Sequence, residues 1–351
     1  MAARTNPTLF DDLIIEILVR VPVKSLVRFQ SVSQTWLSLI KDPAFVKSQL
    51  LHAITTETDQ TRIMRRGINC FSLLHVDPRK IYTYFWNPAI RQSKVIPSCN
   101  TWSDIDEEAL GFGYDGVAHD YKVFRVVKFE SRPSFRAEVY SDNQNAWRNV
   151  PDPIDIPYGH FDVCVNGFLC GIGEHGIMAF DLNREVLNCA VKVPTIDGVH
   201  NHAHIDSDDD TRVHDNFQIL EFHNSVAVTL LMNVDDTNRR ICIWTLNDYA
   251  CLHGGGVEAS WTPMFSITLA TSGELIRGYF SNGDFQQIIR NKDDLWIYCN
   301  ADKKEAKINA PLPTNTSGHH YYSYNVYKYM ESLVSLKGFR QVNKSAGSDD
   351  N

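Results

Sequence analysis

No run of about 18 consecutive apolar residues occurs in these 351 residues, so the sequence offers no candidate membrane-spanning helix of ordinary length. The opening stretch, MAARTNPTLFDD, has no apolar segment before Asp11 and Asp12 and does not read as a secretory signal. C-x-x-C pairs are missing as well. The eight cysteines (Cys70, Cys99, Cys164, Cys170, Cys189, Cys242, Cys251, Cys299) are scattered, mostly inside apolar strand-like runs, a pattern expected of reduced, buried thiols rather than of a structural zinc site. A Lys/Arg-rich stripe is also lacking, which argues against a nucleic-acid or membrane-surface partner. These absences together lead to the expectation of a soluble protein of the cytoplasm, the nucleus or both.

What is present is a globular composition, 43% hydrophobic and 11% aromatic, with ordinary totals of 19 Gly and 14 Pro. The net charge of −8 is unevenly spread. Residues 1–50 carry six Lys or Arg against four Asp or Glu, a net of +2, which leaves −10 for residues 51–351. An acidic body steers basic partners if charge steers anything.

Residues 9–50 have helical spacing. Leu13, Ile14, Ile17, Leu18 and Val21 form one apolar stripe, and Asp11 and Asp12 stand where carboxylates favour a helix start. Pro22 suits the opening of a second helix, VKSLVRF. Val32, Trp36, Leu37 and Ile40 continue into a third, and Asp42-Pro43 reads as the cap and first turn of a fourth. So small a unit has too much surface to bury all this apolar area by itself. It either caps the following domain or docks a separate helical partner.

Beyond about residue 60 the helical period gives way to short β-branched or alternating runs separated by Gly, Asn, Asp and Pro. Strands are expected in KIYTYFWNP, DYKVFRVVKFE, AEVYSD, DVCVNGFLC, GIMAFDL, SVAVTLLMNV, RICIWTLND, LIRGYF, QQIIR and DLWIYCN. A weak repeat runs through them, an aromatic-ended strand followed by a polar turn and a shorter strand. Its anchors Trp86, Tyr140, Phe180, Trp244 and Tyr298 lie 54, 40, 64 and 54 residues apart, the spacing of propeller blades. A two-sheet sandwich is the competing architecture.

The stretch LFDDLIIEILVRVPVKSLVRFQSVSQTWLSLIKDPAF, residues 9–45, resembles a plant F-box, through Asp12-Leu13, Glu16 to Leu18, Pro22 to Leu26, Arg28-Phe29, Val32-Ser33 and Trp36. Phe10 stands where that pattern has Pro, Ser31 where Cys is common and Gln34 where Lys is common. NPAIRQSKVIP, GFGYDGVAHDYKVFRVV, AEVYSDNQNAWRNV, VNGF and YMESLVSLKG are similar to the plant F-box-associated, kelch-related interaction domain. The resemblance implies a small all-α module at 9–50 and an all-β, propeller-like domain at 51–340 whose first blade is truncated. A flexible start at 1–8 and a disordered tail at 341–351 flank them. It further implies docking of a Skp-type adaptor, and through it a cullin–RING complex, by Leu9, Leu13, Ile17, Leu18, Pro22, Leu26, Val32 and Trp36. The β domain would receive a protein for ubiquitination, and the chain would be a non-catalytic receptor with no cofactor. The arrangement also resembles the S-locus F-box group, which implies a basic secreted ribonuclease as target.

Several motifs imitate other chemistry. Gly111-Phe-Gly113-Tyr-Asp-Gly116 matches G-x-G-x-x-G, but a strand-like run follows where a dinucleotide site needs a helix, so the glycines read as a tight inter-strand turn. His253-Gly254-Gly255-Gly256 imitates an esterase oxyanion loop without a G-x-S-x-G elbow and reads as a flexible insertion. VHNHAHIDSDDDTRVHD puts His200, His202 and His204 beside Asp206, Asp208, Asp209 and Asp210. A metal-dependent propeller enzyme stays open on those histidines, a solvated surface loop is the plainer reading, and the four aspartates are candidate contacts for a basic target. An interaction protein that acts outside any ligase is the other alternative.

Overall fold

In the computed structural model the described residues are 9–56, 60–66, 84–97, 105–129, 132–151, 161–173, 176–194, 217–233, 238–254, 256–270, 274–281, 284–291, 294–299, 304–308, 324–335 and 338–341. They divide into two compact units, one of residues 1–65, 72–96 and 326–351, the other of residues 66–71 and 97–325. Along the sequence the second unit interrupts the first.

The first unit opens with α1 (Leu9–Val19), α2 (Val23–Phe29), α3 (Gln34–Lys41) and α4 (Pro43–Thr56). Pro22 caps α2 at φ −53°, where its missing N–H costs nothing. The Ser33 hydroxyl accepts the Trp36 N–H at 3.1 Å to start α3, and Asp42 Oδ1 accepts the Ala44 and Phe45 N–H groups at 2.8 and 3.3 Å to start α4. No helix among the described residues is long and apolar enough to cross a membrane. The unit's strands are β1 (Gln60–Arg66), β2 (Tyr84–Asn87) and β3 (Gln92–Val95), with β20 (Tyr324–Met330) and β21 (Arg340–Gln341) from the far end of the chain. β1 pairs with β20, and β3 lies between β2 and β21. The sheet that opens the β domain therefore has three described strands, the third supplied by the C-terminal part.

Among the described residues the second unit has four antiparallel four-stranded sheets. The first holds β4 (Ile105–Asp115), β5 (Asp120–Phe129), β6 (Arg132–Ser141) and β7 (Ala146–Val150). The second holds β8 (Phe161–Val165), β9 (Phe168–Gly173), β10 (Gly176–Asp181) and β11 (Val186–Val191). The third holds β12 (Phe217–Phe222), β13 (Ser225–Asn233), β14 (Asn238–Leu246) and β15 (Trp261–Ala270). The fourth holds β16 (Glu274–Ser281), β17 (Asp284–Asn291), β18 (Asp294–Cys299) and β19 (Lys304–Ile308). The first strands lie side by side, β4 against β8, β8 against β12 and β12 against β16. This is propeller-like packing of successive sheets, as the repeat predicts.

The core sits between sheets. Leu169, Met178 and Phe180 pack towards Phe124, Val126 and Val139 of the preceding sheet. Their neighbours Phe168, Cys170, Ile177 and Ala179 pack towards Ile219, Val226 and Val228 of the next. Both faces of β9 and β10 are thus buried, which explains their continuous apolar runs where a half-exposed strand would alternate. Each large side chain removed from water here contributes about 1.5–3 kcal/mol.

The repeat corresponds to the hairpin of the last two strands in each four-stranded sheet and to β2–β3 in the first unit. Four of its anchors face a partner seven residues on, Trp86 with Ser93, Tyr140 with Trp147, Phe180 with Leu187 and Tyr298 with Glu305. The fifth, Trp244, pairs with Pro263 across an insertion. Turns 88–91, 142–145 and 182–185 close three of these hairpins and 116–119 closes β4–β5. Each ends on a residue of positive φ, Arg91, Asn145, Glu185 or His119. Polar side chains just before the turns bind their backbone, as when Asp115 Oδ1 accepts the Val117 and Ala118 N–H groups and Asp181 Oδ1 those of Asn183 and Arg184.

Two expectations need correction. DVCVNGFLC is a hairpin and not one strand, because Asn166 and Gly167 both take positive φ, 49° and 80°, the two-residue turn that Asn-Gly favours. Gly111 and Gly113 are inside β4, and only Gly116 is in the turn. Their cause is close approach of sheets: a Cβ on Gly111 would fall 2.8 Å from Phe161 Cβ, and one on Gly113 2.5 Å from Cys164 Sγ and 2.7 Å from Leu182 Cδ1.

A buried ion cluster ties the first of these sheets to the β10–β11 turn. Lys122 Nζ donates to Asp115 Oδ2 at 2.9 Å, the Leu182 carbonyl at 2.6 Å and Glu185 Oε1 at 2.9 Å, and Arg148 Nε donates to Glu185 Oε2 at 2.8 Å. Burial by itself raises the Asp115 carboxyl, yet bonds from the Ala118 N–H, Lys122 and the Val117 N–H outweigh it and hold the group below the usual carboxylate range. Glu185 is lowered likewise, burial being outweighed by Arg148 and Lys122. Burial opposes the charge on Lys122, but Asp115 and Glu185 raise it overall. The carboxylates therefore stabilise the fold above their ordinary values and lose that contribution as pH falls through the depressed ones; the lysine contributes below its ordinary value and loses it as pH rises through the raised one.

Thermal melts between pH 3 and 8 test this cluster. Lys122→Met strands the buried Asp115 carboxylate, leaves Glu185 to Arg148 alone, and lowers neutral-pH stability by about 3–5 kcal/mol, while the steep acid loss of the unaltered protein below about pH 4 becomes shallower. Gly113→Ala, with no room for its Cβ, lowers stability by about 1–3 kcal/mol at every pH.

Candidate docking surface

The apolar stripe of α1 divides into two faces. Ile14 and Leu18 turn inward, and Leu18 at 3% exposure joins Val23, Leu26, Ile40 and Phe45 in a core completed by Ala89, Ile90 and Leu333. Leu13 and Ile17, one helical turn apart, remain 56% and 64% exposed. Val32, between α2 and α3, is 61% exposed, and Pro22 is exposed before α2. Trp36 is half-buried with its ring edge-on to Phe29, centroids 5.4 Å apart.

Of the eight residues expected to dock a partner, Leu13, Ile17, Pro22 and Val32 thus face solvent and Trp36 lies between surface and core. Leu18 and Leu26 are buried, the latter fully, so they act through the shape of the head. Leu9 begins α1, and its side chain is outside the described residues. Beside the apolar pair, Arg20 Nη1 meets Glu16 Oε2 at 2.7 Å with both side chains mostly exposed, a pair that contributes little to stability. Leaving Leu13 and Ile17 in water withholds about 1.5–3 kcal/mol each that a covering surface would recover. The chemistry of this face is apolar association.

The core residues outside the helices escaped sequence reasoning. Ala89 and Ile90 sit in a turn, and Leu333 is far along the chain in YMESLVSLKG, which carries no helical period linking it to the head. The acidic loop with His200, His202, His204, Asp206, Asp208, Asp209 and Asp210 lies outside the described residues. Among the described residues no group of three or more His, Cys, Asp or Glu is arranged to hold a metal. Burial pushes the Cys170 and Cys251 thiols up, away from nucleophilic use. The insertion bearing His253 is also more fixed than a flexible loop. Its 3-10 turn, Tyr249–His253, buries Cys251 and Leu252, and His253 Nδ1 meets Asp181 Oδ2 at 3.1 Å.

Comparison with known proteins finds the F-box associated beta propeller domain family matching residues 24–336. An F-box/kelch-repeat protein of Arabidopsis thaliana is 28% identical over 185 residues, covering 38% of this chain and 49% of that one. The F-box/WD-40 repeat-containing protein 1 of the same plant is 24% identical over 346 residues, covering 85% and 78%. Over its first curated matches the chain spans 61%, 49% and 40% of the relatives' length. Among solved structures, the β-propeller domain of the Trilobed protease from Pyrococcus furiosus overlaps 65% of this chain and 80% of that one at 7% identity with a TM-score of 0.32, an overlap too low to carry argument.

Ser33→Ala removes the cap of α3 without touching an exposed apolar side chain. It lowers head stability by about 0.5–2 kcal/mol, which amide exchange in α3 reports.

Proposed function

As the chain belongs to the F-box-associated β-propeller family, we propose that it is the target-receiving subunit of an SCF-type ubiquitin ligase, docking a Skp-type adaptor by its helical head and a protein target by its β domain. One observation carries this reading: Leu13 and Ile17, with Val32, stay exposed on a head whose Leu18, Val23, Leu26, Ile40 and Phe45 are buried. A helix face of that kind suits an apolar, helical partner surface. The relatives' names, an F-box/kelch-repeat protein and an F-box/WD-40 repeat-containing protein, support the same reading.

In this role the chain needs no nucleophile of its own. It raises the effective concentration of the target's lysines near an activated ubiquitin carried by other subunits. Cytoplasm or nucleus is where such a complex would act.

The target class we propose is a basic protein. Residues 97–325 contain 17 Lys or Arg against 32 Asp or Glu, a net of −15, which favours cationic partners and suppresses anionic ones. Asp206, Asp208, Asp209 and Asp210 belong to this excess and remain the proposed contacts. An S-locus-like role with a secreted ribonuclease as target is the narrowest version of the proposal.

Titration calorimetry with a purified Skp-type adaptor tests the docking half. Leu13→Asp with Ile17→Asp raises the Kd by about 30-fold or more, the loss of one interface hot spot of about 2 kcal/mol, while the melting profile of the β domain stays put. An unchanged Kd overturns the assignment, and no adaptor binding by the unaltered chain returns it to an interaction protein outside the ligase.

A further inference from the structure

The docking head is finished by a segment that lies some 280 residues beyond it in the sequence. Leu333 is 6% exposed inside the same apolar cluster as Leu18, Leu26 and Phe45. Two residues earlier, Glu331 is 8% exposed and accepts Lys24 Nζ of α2 at 2.6 Å. Asn87 works from the other side. Its Nδ2 donates to the Ser332 and Val334 carbonyls at 2.9 and 3.0 Å, while its Oδ1 accepts the N–H of Ala89 at 3.1 Å, and Ala89 is itself in the head core. Beyond these contacts the Ser335 hydroxyl donates to Gln92 Oε1 at 2.6 Å, and β21 pairs Arg340 with Ser93 and Gln341 with Gln92.

The geometry points to residues 331–335, followed by β21 on β3, as the positioning element of the adaptor-docking head: adaptor docking is conditional on this stretch having been made and seated, with Glu331 on Lys24 of α2 and Leu333 in the head core. The inference rests on the docking reading above and deepens it into a form of regulation. The helices are too few to bury their apolar side chains alone, and Leu333 with the Asn87 turn supplies the missing floor. Residues 97–325 must be synthesised before that floor exists, so a partly made or C-terminally clipped chain carries an F-box sequence without a formed F-box surface. Glu331 and Leu333 are themselves buried. They act through α2 and the core, and the exposed Leu13 and Ile17 depend on them for their place.

Coupling of this kind is reciprocal. Whatever seats 331–341 strengthens docking, and adaptor binding in return protects the amides of 331–341 from exchange by the same factor. Apparent affinity falls in proportion to the fraction of chains with a formed head, so a head formed in about one molecule in ten reads as about a tenfold weaker Kd.

The test uses three chains, one ending at residue 341, one ending at residue 330 and the full sequence, with adaptor Kd and amide exchange of α1–α3 as separate readouts. Ending at 341 changes neither. Ending at 330 weakens the Kd by about tenfold or more and removes exchange protection from α1–α3. If it retains both, the inference is overturned. Should the shorter chain fail to fold, the charge pair decides. Lys24→Glu weakens docking, and adding Glu331→Lys restores most of it, a recovery that a direct contact of Lys24 with the adaptor would not give; absence of recovery overturns the inference. If the unaltered chain binds no adaptor, the docking reading fails, and exchange in α1–α3 alone decides whether 331–341 holds the head.

Discussion

About forty helical residues have more apolar surface than they can enclose, and much of this protein follows from that shortage. An isolated bundle of this size would leave a large part of its stripe in water. Here one face of α1 finds its cover within the unit, where Leu18 meets Val23 and Leu26 over Ala89, Ile90 and Leu333. The other face, Leu13 and Ile17, finds none there. The same constraint that makes the head borrow a floor from the β strands and the C-terminal segment leaves it a surface to offer.

How much of this was legible depended on how local each cause is. The four helices, the Asp42 cap and the Pro22 break are set by neighbours within a turn, and they stand where residue spacing puts them. The hairpin repeat was legible for the same reason, because a four-residue turn with a seven-residue pairing offset recurs at Trp86, Tyr140 and Phe180. The division of α1 into an inward and an outward face was not legible, since Leu13, Ile14, Ile17 and Leu18 are equally apolar and only tertiary contacts separate them. Nor was Leu333, whose partners are about 300 residues away. The misread glycines make the same point. Gly111 and Gly113 look like turn residues because glycine is common in turns, whereas a neighbouring sheet that leaves no room for a Cβ decides them.

The second unit uses charge in two ways that should be kept apart. Lys122, Asp115 and Glu185 are withdrawn from solvent and satisfied by one another and by backbone groups, so they fix how one sheet meets the next. Such a cluster is costly to break and adds little net attraction for anything outside. The remaining acidic excess is different in kind. Buried pairs cancel locally, so most of the −15 carried by residues 97–325 belongs to groups that can act on a partner.

Residues outside 97–325 carry +7, the difference between −8 and −15, and their proposed docking face is aliphatic. On the proposed reading, two associations of opposite physical character reside on one chain. Apolar burial at Leu13 and Ile17 depends weakly on ionic strength, whereas attraction of a cationic target to the acidic unit is screened over about 8 Å at physiological salt. On that reading salt would loosen the target while sparing the adaptor. If the chain is the receptor proposed above, it would stay loaded on its ligase through many exchanges of target, because the interaction holding the complex together and the one sampling cargo would not share a force.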